Sequence, residues 1–337
     1  MNMATPCVAP ASRGRRRVLQ ATSAALVAAA LPARAQDYPA RPIRLLVGYT
    51  TGGGTDILAR LIQPRLAELL GQPVVVENRP GASGTIAGNA VAKAPPDGYT
   101  LLLGNNSSNA AVASLSASVP YDLRTDFTPI ALLCAAPHVI AVAANSPLRS
   151  VADLIAQAKA NPGKLSFGSP GIGSAPHLAE LVFESIADVK LLHVPYRGAG
   201  SALTDMIAGH TQASFDASSS VLAQVKAGTI RVLAVASRRR LPQLPDVPTA
   251  AEAGVPGYDM SVWFGLFGPG GLPTSIVHRL KGAMDQIAAD VPLRDRIVST
   301  MASEPVEAMS TDAFRRFVLS EIGRYAALAK RAGIKSE

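Results

Sequence analysis

Three short glycine-rich segments constrain the fold of this chain, because each stands between a predicted strand and a predicted helix. They lie at residues 52–54, 81–84 and 171–173. A repeated order of strand, small polar loop and helix predicts a mostly parallel sheet with helices on its faces. Ligands of such sheets bind in the crevice at the carboxyl ends of the strands. Several such loops, coming from two α/β units, predict a cleft that closes on a small molecule.

The hydrophobic pattern predicts strands and helices that alternate along most of the chain. The predicted strands lie at residues 43–48, 73–77, 100–103, 139–144, 165–168, 191–194, 213–216, 230–236 and 262–268. The predicted helices lie at residues 56–70, 85–94, 151–160, 176–186 and 202–208, and the tail from residue 273 is mainly helical. Roughly 300 residues are too many for one hydrophobic core, so we expect two lobes.

The first 35 residues predict a secretory signal peptide. Four arginines between residues 13 and 17 precede an alanine-rich apolar segment, residues 18–31, and Ala33-Arg34-Ala35 is an A-x-A cleavage site. The apolar segment is too short and too rich in alanine for a spanning helix. Arg15-Arg16-Arg17-Val18-Leu19 also resembles a twin-arginine signal, so the Sec and twin-arginine routes both stay open. We expect a periplasmic protein whose mature chain begins at Gln36.

Removal of the leader changes the charge of the protein. The full chain has a formal net charge of +8, and residues 1–35 hold five arginines and no acids, so the 337 − 35 = 302 residues that remain carry 8 − 5 = +3. A nucleic-acid-binding domain needs a basic stripe on its folded surface. The short run at residues 238–240 precedes a proline-rich loop and is typical of a solvated turn. We therefore predict no nucleic-acid partner.

Cysteine content and hydropathy indicate a protein held by its apolar core. Cys134 is the cysteine that remains after residue 35, so no internal disulfide can form. It lies among alanines and leucines, which predicts a buried core residue. The most apolar later segment, residues 127–142, is interrupted by Pro129 and Pro137 and predicts two strands rather than a membrane span.

The first glycine loop predicts an anion site of a kind other than a nucleotide site. Unpaired N–H groups and the helix dipole favour a negative charge where a loop leads into a helix. A P-loop requires Gly-Lys-Ser or Gly-Lys-Thr, whereas Gly54 is followed by Thr55 and Asp56. The dinucleotide fingerprint fails because Ile57 stands where its third glycine would be. Asp56 either holds the helix start, by accepting backbone N–H groups, or also orients a ligand or a water.

No catalytic residue, metal ligand or cofactor is predicted. The chain has no Gly-x-Ser-x-Gly elbow, no His-Glu-x-x-His and no paired His/Cys spacing. His177 could face the cleft or could be a helix-face histidine with local hydrogen bonds, and both interpretations stay open. An exported serine hydrolase that uses Ser174 and His177 is a remote alternative, because no activating elbow accompanies the pair.

Several motifs follow one another in a familiar order through nearly the whole mature chain. In chain order they are Gly52-Gly53-Gly54-Thr55-Asp56 with Ala59-Arg60, Asn78-Arg79-Pro80-Gly81-Ala82-Ser83-Gly84, Pro95-x-Asp97-Gly98-Tyr99-Thr100, Pro120-Tyr121-Asp122 with Asp126-Phe127, Pro162-Gly163-Lys164-Leu165, Gly171-x-Gly173-Ser174-x-x-His177-Leu178, His193-Val194-Pro195-Tyr196-Arg197-Gly198, Leu244-Pro245-Asp246-Val247-Pro248-Thr249 and Trp263-Phe264-Gly265. With these motifs the chain resembles the extracytoplasmic solute receptors of the tripartite tricarboxylate transporter family, the Bug proteins.

The resemblance implies a type II periplasmic binding-protein fold, with two α/β lobes joined by two crossing strands. Lobe 1 would hold residues 36–139 and 258–337, and lobe 2 residues 140–257, with crossings near residues 137–144 and 262–269. The resemblance also implies a small carboxylate ligand and integral membrane transporter subunits as partners. A ligand-sensing role on a periplasmic sensor kinase domain is the alternative, and we expect a monomer.

The resemblance and the loop chemistry together predict a set of ligand-binding residues. They are Thr51, Gly52, Gly53, Thr55, Asp56, Ala82, Ser83, Gly84, Asn105, Ser107, Ser169, Gly171, Ile172, Gly173, Ser174, His177, Tyr196, Arg197, Gly198 and Asp216. Two segments depart from the family pattern, Tyr49-Thr50-Thr51 and the amide-rich Asn105-Asn106-Ser107-Ser108, so a particular ligand cannot be transferred. Arg197 replaces a frequent lysine and either pairs with a carboxylate or caps the loop at the surface.

Overall fold

A computed structural model describes Met1 and residues 38–114, 119–305 and 308–331. Apart from Met1, the predicted signal peptide, residues 1–35, lies outside the described residues. In the described ranges the strands are β1 (Ile43–Val47), β2 (Val74–Asn78), β3 (Thr100–Asn105), β4 (Phe127–Pro137), β5 (Val139–Ala143), β6 (Ser166–Ser169), β7 (Leu192–Pro195), β8 (Ala213–Ser214), β9 (Ile230–Val235), β10 (Ser261–Pro269) and β11 (Glu304–Pro305).

The helices cover the faces and ends of the sheets. They are α1 (Gly54–Leu70), α2 (Thr85–Ala92), α3 (Asn106–Asn109), α4 (Val151–Ala160), α5 (Ala175–Ala187), α6 (Ala199–Ile207), α7 (Ser218–Lys226), α8 (Thr274–Ala289), α9 (Val291–Met301) and α10 (Thr311–Arg331), with short 3₁₀ turns at Ala82–Gly84 and Ala111–Ser114.

Two separate mixed sheets define two lobes. The first lobe is built on the sheet ordered β11-β4-β10-β3-β1-β2 with α1–α3 and α8–α10, and the second on the sheet ordered β7-β6-β8-β5-β9 with α4–α7. Strands β2, β1 and β3 are parallel, and β10 runs antiparallel between β3 and β4. In the second lobe β7, β6 and β8 are parallel and β5 is antiparallel to β8 and β9. This confirms the predicted two-lobed α/β fold, whereas the lobe boundaries at residues 139/140 and 257/258 stay a prediction.

Local sequence explains why the first strand and helix form. Strand β1, Ile-Arg-Leu-Leu-Val, is almost continuously apolar, as expected for a parallel strand covered on both faces. Helix α1 buries Leu58, Ile62 and Leu66, at the spacing of one helix face. It ends at Gly71, whose left-handed backbone (φ 73°) closes the last turn on the carbonyls of residues 67 and 68. The loop between β1 and α1 is thereby held by regular structure at both of its ends.

The chain crosses between the lobes twice, and the two crossings are hydrogen-bonded to each other. His138 separates β4 from β5, and its N–H donates to the carbonyl of Met260, just before β10. Ala236, just after β9, donates to the carbonyl of His138 and accepts from the N–H of Met260. The resemblance predicts crossings near these segments, and the structure has them there.

Some elements differ from the sequence-based predictions. Helix α7 was not predicted, because its first turn is three consecutive serines, which favour caps and turns over helix interiors. Strand β8 ends at Ser214, so Asp216 lies in the loop that follows rather than in a strand. Cys134 is buried in the core, as predicted. Among the described residues no helix is both long and apolar enough to cross a membrane.

Candidate functional site

The N-terminus of α1 faces the second lobe. The residue before the helix, Gly53, has an extended backbone and contributes no side-chain cap. Gly54 donates its N–H to the Ser220 hydroxyl of the second lobe at 3.3 Å. A Cβ atom on Gly54 would overlap the hydroxyl of Ser219. Glycine is therefore required here because another segment approaches the backbone closely.

Asp56 is held entirely by groups of its own lobe. Its side chain is 2% exposed and accepts hydrogen bonds from the N–H of Gly52 at 3.0 Å, from Arg60 Nε at 3.0 Å and from Asn78 Nδ2 at 2.9 Å. Burial alone would raise the pKa of this carboxyl, but the hydrogen bonds from Arg60, Asn78 and Gly52 outweigh burial and lower it. Asp56 thus ties the glycine loop to α1 and to β2.

We expect Asp56→Ala to lower the free energy of unfolding by about 2 kcal/mol, because hydrogen bonds to a charged group are lost and Gly52 loses its acceptor. The folded pKa lies below the ordinary value of 3.8, so this stabilisation is complete above pH 3.8 and is lost as the pH falls through the folded pKa. Urea unfolding at pH 7 and at pH 3 measures both effects. The exposed Asp246→Ala is the control. A difference from the wild type that does not shrink at low pH would contradict the assignment.

Asn105 organises the carboxyl end of β3. Its Oδ1 accepts from the hydroxyl of Tyr49 at 2.9 Å and from the N–H of Ser107 at 2.9 Å, while its Nδ2 donates to the Thr55 hydroxyl at 3.1 Å. The Tyr49 hydroxyl also lies 3.0 Å from the carbonyl oxygen of Ser83, so its single proton is shared between Ser83 and Asn105 Oδ1. One buried amide therefore links the loops after β1, β2 and β3, which is where the sheet geometry predicts a ligand site.

Direct hydrogen bonds join the two lobes across the cleft. The Ser83 hydroxyl donates to the carbonyl of Ile172 at 2.6 Å, and the N–H of Ala175 donates to the Ser107 hydroxyl at 2.7 Å. The Gly54–Ser220 bond is a third. A Cβ on Gly198 would lie 2.5 Å from the Thr50 hydroxyl oxygen, so the backbones of the two lobes touch there as well. The two lobes are therefore in direct contact across the cleft.

The second-lobe loop between β6 and α5 is held by a serine–histidine network. The Ser169 hydroxyl lies 2.6 Å from His193 Nε2 and accepts from the N–H of Gly171 at 3.1 Å. The imidazoles of His193 and His177 are stacked, with ring centroids 4.1 Å apart. Burial lowers the pKa of His177 to about 4 and, together with the neighbouring His177, lowers that of His193 to about 3. Both rings are thus neutral at physiological pH.

We expect the His177–His193 pair to make folding stability depend on pH. Both folded pKa values lie below the ordinary 6.5, so the unfolded chain binds more protons and stability falls as the pH drops from 6.5 towards 4. Each imidazole contributes up to about 1.4 kcal/mol per pH unit. The double variant His177→Gln/His193→Gln, measured by urea unfolding from pH 7.5 to 4.5, should show a shallower slope. Exposed His210→Gln should keep the wild-type slope, and an unchanged slope in the double variant would refute the prediction.

A small cavity of about 30 Å³ lies between these groups. It is lined by Tyr49, Gly53, Gly54, Thr55, Asn105, Ser107, Pro170, Pro176, Ala199, Asp216, Ala217, Ser220, Val262 and Phe264. The polar groups are hydroxyls, one amide, backbone and a carboxylate, and the walls are prolines, alanines, Val262 and Phe264. A mixed polar and apolar lining between two lobes is the usual setting of a small-molecule site. The lobes must move apart to admit a guest larger than about two water molecules.

Five of the predicted residues line this cavity: Gly53, Thr55, Asn105, Ser107 and Asp216. The structure places the others around it. A hydrogen bond between Ser83 and Ile172 joins the lobes, and Gly84 lies against the Tyr49 hydroxyl. Three residues are exposed: Thr51, Gly52 and Ala82. Asp56 is held within the first lobe. Ser169, Gly171, Gly173, Ser174 and His177 form the loop network, and Tyr196 donates to Asp205. Gly198 meets Thr50 and Arg197 is exposed. Ligand contact by any of the twenty residues stays a prediction.

Sequence reasoning missed several lining residues. Tyr49 lies two residues after the end of β1 and could have been found from its place directly after the predicted strand at residues 43–48. Phe264 belongs to the Trp-Phe-Gly motif on β10. Ser220 lies in α7, which was not predicted, so only the tertiary contact with Gly54 identifies it.

The geometry does not support a nucleophilic Ser174–His177 pair. Ser174 accepts from the backbone N–H of His177 at 3.3 Å, as the cap of α5, while His177 Nδ1 accepts from the N–H of Gly173 at 3.3 Å. Ser169 does meet an imidazole, that of His193, but it is fully buried. Among the described residues no group of three or more His, Cys, Asp or Glu side chains could hold a metal ion.

Two α/β lobes that close on a cavity at the strand ends define a solute-binding receptor. The chain belongs to the tripartite tricarboxylate transporter receptor family, because the model of the "Tripartite tricarboxylate transporter family receptor" matches residues 58–334. This confirms the resemblance drawn from the motifs. The family consists of binding proteins, so this protein is a receptor and not an enzyme.

Solved structures of relatives superpose on nearly the whole fold. Rpa4515 from R. palustris, determined with adipate, is 38% identical with a TM-score of 0.84, covering 89% of this chain and 100% of that one. The periplasmic binding protein BugD is 32% identical with a TM-score of 0.84, covering 89% and 100%. MatC from Rhodopseudomonas palustris, with bound malate, is 30% identical with a TM-score of 0.82, covering 86% and 99%.

Proposed function

We propose that this protein is a periplasmic receptor that captures a small organic carboxylate between its lobes and delivers it to the membrane subunits of a tripartite tricarboxylate-type transporter. The observation that carries the proposal is the N-terminus of α1, where Gly53 and Gly54 meet the cavity beside Thr55, Asn105 and Ser107. The dipole of a helix N-terminus favours an anion. The Gly54 N–H donates to Ser220 of the other lobe and becomes available to an anion when the lobes move apart. Adipate and malate in two solved relatives support a carboxylate as that anion.

Closure of the two lobes distinguishes the liganded receptor from the open one. A ligand shifts a two-state equilibrium only by its differential affinity for the two states. The hydrogen bonds from Ser83, Ala175 and Gly54 exist only when the lobes meet, so groups of both lobes surround the cavity together in the closed form. A transporter that recognises both lobes at once would then accept the liganded receptor in preference to the open one.

Ligand binding is tested on the mature chain from Gln36 by thermal shift and calorimetry with mono-, di- and tricarboxylates. A ligand at 100 times its Kd should stabilise the folded state by about 2.7 kcal/mol, which corresponds to a rise in Tm of several degrees. Nucleotides and sugars form the comparison panel. A response to one of these, with none to any carboxylate, would sink the proposal. Mass spectrometry of the small molecule that co-purifies identifies the ligand directly.

Transport is tested by uptake of the labelled carboxylate in cells with and without the gene. Loss of uptake on deletion, restored by the wild-type gene, is the expected result. Unchanged uptake, together with lost transcription in response to the carboxylate, would instead establish a sensing role. Amino-terminal sequencing of the protein from the periplasmic fraction checks export, cleavage before Gln36 being the expected outcome, and light scattering checks the expected monomer.

A further inference from the structure

Asp216 places a carboxylate inside the cavity. The residue follows β8 and precedes α7, is 4% exposed, and lines the space between the lobes. The N–H of Ala217 donates to its Oδ1 at 2.7 Å. Ala217 is the residue before α7 and makes no side-chain cap of its own. The Asp216 side chain therefore fixes the start of α7 and at the same time faces the cavity.

The charge balance of the cavity is unfavourable for a plain carboxylate. Of the described residues that line it, Asp216 is the acid, and no lysine, arginine or histidine stands among them. Burial raises the pKa of Asp216 to about 6, although hydrogen bonds from Ala217 and Ser220 lower it in part. At neutral pH the group is largely ionised, so an anionic guest and an anionic side chain share one small space. Like charges in a desolvated site repel strongly unless a donor lies between them.

An ionised carboxylate can accept about four hydrogen bonds. Ala217 and Ser220 account for two of them. The Ser220 hydroxyl oxygen in turn accepts from the N–H of Gly54 at 3.3 Å, so this serine is already engaged with the opposite lobe. Buried charges are retained where they are hydrogen-bonded. The remaining acceptor capacity of Asp216 therefore fits a donor brought in by the ligand.

We propose that Asp216 selects carboxylates that also carry a hydrogen-bond donor, a hydroxyl or an ammonium group, on the carbon chain. This inference rests on the proposed function and narrows it to hydroxy- or amino-substituted carboxylates. The ligand carboxylate lies towards the α1 N-terminus, where Gly53, Gly54 and Thr55 line the cavity, and the donor lies towards Asp216. Unsubstituted carboxylates leave Asp216 facing them without a donor, and a site built for a polar group rejects the analogue that lacks it.

The test uses matched ligands that differ in one group. Calorimetry at pH 7.5 on the full mature chain compares succinate, malate and aspartate, then glutarate, 2-hydroxyglutarate and glutamate, then adipate, 2-hydroxyadipate and 2-aminoadipate. In the series of the best-fitting length, the wild type should bind a substituted ligand at least about tenfold more tightly than the plain one, because hydrogen bonds to charged groups are strong. Comparison of the hydroxy-substituted with the amino-substituted ligand of that series shows which hydrogen-bond donor the site binds.

Asp216→Asn keeps the shape and removes the charge. It should reduce the preference to about threefold or less, mainly because the plain dicarboxylate binds more tightly once the like charge is gone. Asp216→Ser is a second, smaller neutral variant with the same expectation. Asp246→Asn, an exposed acid of the same lobe, is the control and should keep the wild-type preference.

The outcomes separate the two proposals. Equal affinity of the wild type for plain and substituted ligands overturns the role of Asp216 without any variant and leaves the carboxylate receptor intact. A preference that survives unchanged in both Asp216→Asn and Asp216→Ser also overturns it. Failure of every carboxylate to bind overturns the proposed function, and this inference with it.

Discussion

Gly198→Ala should hold the two lobes apart and weaken binding of the carboxylate ligand at least about tenfold. The added Cβ would lie 2.5 Å from the Thr50 hydroxyl oxygen and 2.8 Å from the Thr50 backbone nitrogen, so rotation of one side chain cannot relieve the clash. Gly198 has φ 174°, an extended backbone that alanine adopts freely. The second lobe should therefore fold unchanged, and the whole effect should fall on closure.

Calorimetry with the best ligand and small-angle scattering with and without it measure this effect. The variant should retain the larger radius of gyration of the open form where the wild type contracts. Gly282→Ala is the control, because no atom lies within 4 Å of a Cβ there and the position is inside α8. Its binding should match the wild type, with stability unchanged or higher by up to about 1 kcal/mol. Contraction of Gly198→Ala to the wild-type radius would show that the Thr50–Gly198 contact does not limit closure.

Asn105→Ala should lower the free energy of unfolding by about 2–4 kcal/mol and abolish measurable ligand binding. The amide side chain is the common partner of Tyr49, Thr55 and Ser107, so its removal leaves the buried N–H of Ser107 without that acceptor. Tyr49 retains its bond to the carbonyl of Ser83. The loops after β1 and β3, which both line the cavity, would lose their shared anchor.

Urea unfolding and calorimetry check this expectation. Asn161→Ala, an exposed asparagine whose Nδ2 donates to the carbonyl of Gln157, is the matched control and should change stability by less than about 0.5 kcal/mol. Asn105→Asp keeps the acceptor oxygen for Ser107 but cannot donate to Thr55. A variant Asn105→Ala with wild-type stability and affinity would show that the loops are held by other contacts.

Much of the fold follows from the sequence because its signals are local. The apolar run of β1, the face formed by Leu58, Ile62 and Leu66, and the stop at Gly71 each depend on residues within a few turns of one another. The capping pair Ser150 and Asp153 marks the start of α4 in the same way. Helix α7 was not predicted, because serines at its start are compatible with a turn as well as with a helix. Packing against the rest of the lobe decided in favour of the helix.

The sequence predicts the chemistry of the candidate site but not which residues line it. Glycines 53 and 54 before a helix predict an anion site from local geometry. The contribution of Ser220 depends on a contact with Gly54, 166 positions away in the chain, which no local pattern contains. Tyr49 and Phe264 line the cavity because β1 and β10 both border β3 in one sheet, a strand order that the residues alone do not state.

The sequence by itself determined the class of this protein: repeated strand–loop–helix units, a helix start that attracts an anion, and an ordered set of family motifs. Only the tertiary structure decided what the two acids of the predicted ligand-binding set, Asp56 and Asp216, do. Asp56, beside the glycine loop, is held by Arg60, Asn78 and Gly52 of its own lobe, whereas Asp216, after a two-residue strand, faces the cavity. The physical reason is that burial sets the role of each carboxylate together with partners that are distant in sequence. Asp56 meets Asn78 only in the folded first lobe, and Asp216 lines the cavity only because the two lobes lie against each other.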